Sequence, residues 1–221
     1  DMKIMTMRTA YTQLWKEQGD LSCCLMDGDG EIIAQDPNGF PIHVTTMPLQ
    51  LQGVVEILGR ENLCPGDVLA TNDPFIGGTH LPDVTVITPV FDDDDAGDAA
   101  RVLFYVASRG HHAEIGGISP GSMPPNSRTV EEEGILIDNF KLVDGGKLRE
   151  QAFLDLLNSG DWPSRNPSQN MADLQAQVAA NEKGVQELKA MVEHFGLDVV
   201  SAYMGHVQDN AEESVRRVLD V

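Results

Sequence analysis

The chain has 221 residues, 41% of them hydrophobic, enough for a packed core in one large domain or two small ones. Its 15 basic and 35 acidic side chains give a formal charge of −20, which excludes nucleic acid and anionic membrane as partners, because phosphate recognition needs a basic face. No apolar run approaches the roughly 20 residues of a membrane helix, and the opening residues are amphipathic rather than signal-like, so a cytoplasmic protein is expected. Cys23, Cys24 and Cys64 are odd in number and lack CxxC or disulfide-framework spacing, so buried reduced thiols are expected.

Ile4, Met7, Tyr11, Leu14 and Trp15 recur at helical spacing and predict a helix over residues 4–17 that ends near Gly19. Residues 21–26 and 31–34 flank the turn Asp27-Gly28-Asp29-Gly30, a β-hairpin signal. Asp20, just before the first strand, reads on its own as a turn or capping carboxylate. After an irregular Pro/Gly segment over residues 35–43, Thr45 or Thr46 with the following Pro48 opens a helix to about Leu58, closed by Gly59. That leaves His43 on the preceding loop, where hydrogen bonding to neighbours is its ordinary use and a supporting place beside a site the alternative.

A short strand over residues 68–71 delivers the chain into a Gly-rich loop; Val84, Val86 and Val90 mark a second strand and residues 101–108 a third. The acidic run from Asp92 to Asp95 then reads as a solvated hairpin tip, without the order of an EF-hand calcium loop. Residues 118–129, rich in Pro, Gly and Ser, form an irregular loop of the kind that often walls a site. Residues 135–137 and 140–143 suit sheet pieces, 149–157 a short helix and 158–167 a linker. Met171, Leu174, Val178, Val185, Leu188 and Val192 then recur at helical spacing, and a second helix follows Phe195-Gly196 through Val200, Met204, Val207 and Val218. The fold expected is α+β: a mixed or mainly antiparallel sheet with flanking helices and a C-terminal helical hairpin.

Two loops carry the chemistry, NDPFIGGTHLPD at residues 72–83 and RGHHAEIGGISPGSM at residues 109–123. The predicted hairpin places His80 and Asp83 at the start of one strand and His111 and His112 at the end of its antiparallel partner, so all can meet at one end of the sheet. His80, Asp83 and His111 supply imidazole and carboxylate ligands that leave open positions on Zn, Mn or Fe. Asp20 adds a fourth if the first hairpin joins the same sheet. The alternative is that these histidines cap loops and bond to backbone. Gly77, Gly78, Gly116 and Gly117 could present N–H groups to an anion or only turn the chain. Neither GxxxxGK[ST] nor GxGxxG occurs, so any ATP chemistry belongs to a partner.

NDPFIGGTHLPDVTVITPVF, ASRGHHAEIGGISPGSMPPNSRTVEEEG and the closing YMGHVQDNAEESVRRV resemble the hydantoinase B/oxoprolinase family over nearly the whole chain. That family includes N-methylhydantoinase B subunits and the α-type subunits of acetone and acetophenone carboxylases. The resemblance is to the N-terminal part of longer proteins. It implies a B-type subunit of an ATP-dependent hetero-oligomer whose hydantoinase A-like partner phosphorylates a cyclic amide, while this chain completes ring opening at a divalent metal. By motif, the ligands would be Asp20, His80, Asp83 and His111. His112 or His43 would relay the proton, and Arg128 with the Gly-rich backbone would hold phosphate. The family more often has Asp where this chain has Glu114. The resemblance leaves two alternatives: a carboxylase subunit acting on a ketone, and a non-catalytic assembly subunit. On this reading residues 1–160 form the metal-site domain and residues 161–221 a helical segment opening the rest of a longer subunit.

Overall fold

Among the described residues, seven strands, β1 (Leu21–Asp27), β2 (Ile32–Gln35), β3 (Val68–Thr71), β4 (Asp83–Phe91), β5 (Val102–His111), β6 (Phe140–Asp144) and β7 (Lys147–Leu148), build one sheet in the computed structural model. The sheet runs β2-β1-β5-β4-β3-β6-β7 with every pairing antiparallel. Residues 2–92 and 101–219 are described, so the acidic hairpin tip beyond Asp92 lies outside them. The helices are α1 (Met2–Thr9), α2 (Pro41–Leu58), α3 (Val130–Glu133), α4 (Glu150–Leu157), α5 (Pro167–Phe195) and α6 (Leu197–Leu219). The α+β expectation therefore holds, and the sheet is antiparallel throughout.

The central strands are covered on both faces. On one, Met47, Leu51 and Val54 of α2 pack against Cys24, Met26, Leu69, Ile87, Tyr105 and Ala107. On the other, Met171 and Leu174 of α5 and Phe153 and Leu157 of α4 pack against Val84, Val86 and Leu142. β4 is buried along its whole length, as a strand between two helical layers must be. Alternation along β5 sends Ala107, Arg109 and His111 to the α2 face and Ser108, Gly110 and His112 to the α5 face.

α5 does not dock through its apolar stripe alone. Asn170, Asp173, Gln177 and Asn181, spaced three to four residues apart, are also buried, and the last two meet the sheet. Gln177 Nε2 donates to Val84 O at 3.0 Å and Ser108 O at 3.1 Å, and Asn181 Nδ2 to Val86 O at 3.0 Å. Such amides fix the helix at one height on the strands, which an apolar face would do less sharply.

Several sequence expectations need correction. The predicted N-terminal helix breaks: α1 ends at Thr9, and Leu14–Gln18 forms a separate π-helical turn. The intervening Tyr11 and Thr12 N–H groups go instead to Asp173 Oδ1, at 2.6 and 3.0 Å. The turn still ends at Gly19, in the left-handed region at φ 66°. α2 starts at Pro41, not at Thr45 or Thr46, so His43 sits within its first turn. The two threonines donate to the carbonyls four residues back, Pro41 O and Ile42 O, rather than capping. Cys64 is exposed because it opens the Pro65-Gly66 turn, where its N–H bonds Asp67 Oδ2 at 2.9 Å. Cys23 and Cys24 are buried, and burial pushes the Cys24 thiol up to about 12. Residues 135–137 lie outside the strands, tied to the sheet by Asn72, whose Oδ1 accepts the Ile137 N–H at 2.7 Å. Among the described residues no helix is long and apolar enough to cross a membrane.

Gly110 faces the Trp15 ring so closely that an added methyl would overlap it. Gly110→Ala should therefore destabilise the protein by about 1–3 kcal/mol in urea unfolding. Gly205→Ala, with no atom within 4 Å of the new methyl, should be neutral or stabilising by up to about 1 kcal/mol. Equal effects would remove the overlap as the cause.

Candidate metal centre

The register of β4 and β5 pairs Asp83 directly with His111, and the next pair on the same face is Thr85 with Arg109. Asp83 is 3% exposed. Its Oδ1 accepts from His80 Nε2 at 3.0 Å and His111 Nδ1 at 2.9 Å. Oδ2 faces His43 Nε2 at 3.2 Å and accepts the Thr79 hydroxyl. His80 Nε2 and His111 Nδ1 are 3.1 Å apart, with their rings stacked at 4.9 Å between centroids.

Three imidazoles therefore surround one buried carboxylate. Burial works to raise the Asp83 carboxyl, but hydrogen bonds from His111, His43, His80 and Thr79 outweigh it and hold it far below the usual carboxylate range. Burial works to lower His80, while the hydrogen bond and charge of Asp83, with Asp20 and Glu133 behind it, hold it above its ordinary value.

One atom each from His80, Asp83 and His111 forms a triangle with edges of 2.9, 3.0 and 3.1 Å. A cation with bonds of about 2.1 Å has ligand atoms about 3.0 Å apart along an octahedral edge and about 3.4 Å along a tetrahedral one. Two histidines and a carboxylate on one octahedral face suit a divalent ion that retains open positions. Zn, Mn and Fe all accept such a donor set.

The other candidate residues divide. Asp20 stands opposite His111, whose N–H donates to Asp20 O at 3.1 Å, so the first hairpin does join this sheet end. Its carboxylate acts on His80 through charge but is not among the ligand atoms lying within 4.8 Å of one another. His43, buried at 4% exposure, is held from its other side by Ser22 Oγ, 3.4 Å from Nδ1. His112 does not join the cluster, because strand alternation turns it to the α5 face. There it is fully buried edge-on against Trp15, with Nδ1 3.2 Å from Asn170 Nδ2, and burial pushes it down to about 4. The expectation that all four loop residues meet is corrected to three of them, with His43 replacing His112 around Asp83.

The glycines mainly let the chain pack closely. Gly78 N–H donates to Asp73 O at 2.9 Å, Gly117 N–H to Trp162 O at 3.0 Å and Gly116 N–H to Glu114 Oε2 at 3.1 Å, so these donors are engaged within the protein. Gly77 lies against the α2 backbone at Gln50, and its carbonyl accepts from Arg109 at 3.2 Å. Arg128 is exposed, its backbone N–H bonded to Glu132 Oε2 at 2.7 Å. Glu114 points away from the cluster and ties the second loop to residues 164–166. It accepts from Ser164 Oγ at 2.6 Å, from Arg165 N at 2.8 Å and from Arg165 Nη1 at 3.0 Å. The sequence reading passed over Thr79, Ser22 and Arg109. Their signal was available for Arg109, a charged residue inside an apolar strand and two positions from His111.

The family model for hydantoinase B/oxoprolinase matches residues 1–221. Among curated relatives, 5-oxoprolinase 1 of Arabidopsis thaliana is 46% identical over 220 residues, covering 96% of this chain and 17% of its own length. The crystal structure of an ATP-dependent caprolactamase from Pseudomonas jessenii superposes with a TM-score of 0.85 at 28% identity, covering 99% of this chain and 36% of that one. A nucleotide-free acetone carboxylase has the same fold, with a TM-score of 0.79 at 20% identity over 92% of this chain and 25% of that one. The chain thus spans a sixth to about a third of the length of these relatives.

Because the folded state raises His80, its pairing with Asp83 stabilises the metal-free protein fully below the unfolded value of about 6.5 and is lost as pH rises through the folded value. The side chain is 34% exposed, so the contribution should stay below about 1 kcal/mol. In chelator-treated buffer, the unfolding free energy lost in His80→Gln should be larger at about pH 5.5 than at about pH 8.5. The opposite order would contradict the pairing.

Proposed function

Since the chain belongs to the hydantoinase B/oxoprolinase family, we propose that it carries the metal-centred site of an ATP-dependent hydrolase acting on cyclic amides. The observation that supports this most directly is the triangle of His80 Nε2, Asp83 Oδ1 and His111 Nδ1 at 2.9–3.1 Å, built on a paired strand end with a buried anion at its centre. The curated relative named as a 5-oxoprolinase and the structural relative named as a caprolactamase both act on lactam-type substrates by their names, and the latter is ATP-dependent. The ATP-using step is assigned to sequence outside these residues, as a separate hydantoinase A-like component or another part of a longer polypeptide, since no nucleotide fingerprint occurs here.

In this reading His80, Asp83 and His111 hold a divalent cation, with Asp20 beside them. Such a cation supplies Lewis acidity, polarising a substrate oxygen and lowering the pKa of water. Asp83 would remain ionised across the working pH range, because the cation favours the anion and the His43 and Thr79 contacts to Oδ2 are retained. His43, buried with Nε2 at 3.2 Å from Asp83 Oδ2 and Nδ1 at 3.4 Å from Ser22 Oγ, orients the carboxylate rather than relaying a proton, since both ring nitrogens are engaged within the protein. His112 is closed off on the far face and does not meet the substrate either. The likeness to acetone carboxylase is one of fold.

Elemental analysis after dialysis against metal-free buffer should find near-stoichiometric Mn, Fe or Zn in the chain, lost in both His80→Ala and His111→Ala. With an ATP-using partner component, 5-oxoproline or caprolactam should be opened by the unsubstituted protein and not by His80→Ala. Full activity in that variant, or metal-free folded protein that takes up no added ion, would sink the assignment. Consumption of acetone and bicarbonate in place of a lactam would replace hydrolase by carboxylase.

A further inference from the structure

We infer that Arg109 is a positioning residue: its guanidinium fastens the His43 turn of α2 and the Gly77 loop to the β4–β5 pair, and thereby sets where His43 and His80 stand around Asp83. The inference rests on the reading of Asp83 as the centre of the site and adds a residue that touches none of the ligand atoms.

Arg109 is completely buried. Its Nε donates to Thr85 Oγ1 at 2.7 Å across the strand pair. Nη1 donates to His43 O at 3.1 Å and Thr46 Oγ1 at 2.5 Å, and Nη2 to Gln50 Oε1 at 2.5 Å and Gly77 O at 3.2 Å. Every N–H of the guanidinium is thus used, and every acceptor is neutral. The group that balances its charge is Asp83, through space rather than by contact. Burial pulls Arg109 down to about 10, which still leaves it a cation near neutral pH.

Placing a cation in a core without a contacting carboxylate is unfavourable, and an apolar side chain of similar volume commonly serves packing as well or better. What an apolar side chain cannot do is bond three separate segments at once. The bonds from Arg109 to Thr85, to α2 and to Gly77 converge on the segments that carry Asp83, His43 and His80. At the far end of the same loop Thr79 bonds Asp83 Oδ2. His80 follows directly, so its ring is carried by a loop tied to Arg109 at Gly77 and to the carboxylate at Thr79. Lysine, with one nitrogen and no planar fork, cannot reproduce this set.

The test uses the 221-residue chain and compares Arg109→Lys and Arg109→Gln with the unsubstituted protein. In chelator-treated samples, long-range proton–nitrogen NMR of the histidine rings should show the His43 and His80 signals displaced in both variants. The His112 signals, from the opposite face, should stay in place and report an intact fold. Titration with Co(II) should show affinity lowered about tenfold or more, with a changed visible spectrum and no rescue by lysine. Folded variants with unmoved His43 and His80 signals and Co(II) affinity within about twofold would overturn the inference. If both variants fail to fold, Gln50→Met and Thr46→Val each remove a single acceptor. Displaced His43 signals in either support the inference, and unmoved signals in both reject it. An unsubstituted chain that binds no Co(II) would refute the metal reading, while the ring signals would still decide the role of Arg109.

Discussion

A carboxylate with 3% of its surface exposed can stay ionised only if donors replace the water it has lost, and the Asp83 end of the sheet is arranged around that requirement. Asp83 is the first residue of β4, so its backbone is held by the ladder while its side chain lies where a strand end, a loop and a helix start converge. His111 comes from the paired strand, His80 and Thr79 from the loop before it and His43 from the first turn of α2. A one-residue slip between β4 and β5 would turn Asp83 or His111 to the α5 face and dissolve the cluster. Register is therefore the property that the site needs most from the fold.

The α5 face supplies it. Gln177 and Asn181 reach carbonyls on both β4 and β5, so α5 reads the alignment of the two strands rather than merely covering them. Trp15 works at the same end: its Nε1 donates to His111 O at 2.9 Å, its ring covers His112, and Gly110 is left without a side chain beneath it. Consecutive histidines thus divide the labour of one strand end. His111 turns to the carboxylate, and His112, neutral at ordinary pH, packs between Trp15 and Asn170.

Much of this was legible in the sequence because it depends on local signals. The hairpin turn at residues 27–30, the strand alternation of Val84 and Val86, and the helical spacing after Met171 each follow from a periodicity or a turn residue, and each element formed. The meeting of His80, Asp83 and His111 followed from the hairpin geometry. What the sequence concealed was decided by contacts distant along the chain. The break after Thr9 exists because Asp173, some 160 residues away, takes two N–H groups. The division of His111 from His112 is a matter of strand phase, unsettled while the end of β5 was placed at residue 108. The buried amides of α5 were hidden because polar residues at helical spacing ordinarily face water. Glu114, although it stands three residues after His111, reaches a separate anchor at Ser164 and Arg165.

The exposure of the cluster gives it a direction. The side chains of Asp83 and His43 are 4% and 5% exposed, His111 14% and His80 34%. Solvent therefore reaches the centre on the His80 side and least at Asp83 and His43. Anything that enters, ion or substrate, meets His80 first and Asp83 last. The most accessible of these side chains is also the one on a loop, whereas the buried carboxylate and His111 sit on paired strands that cannot move independently. The bonds from Gly77 and Thr79 hold that loop against the strands, so His80, although it lies outside the ladder, is tied to the carboxylate at Thr79 and to Arg109 at Gly77.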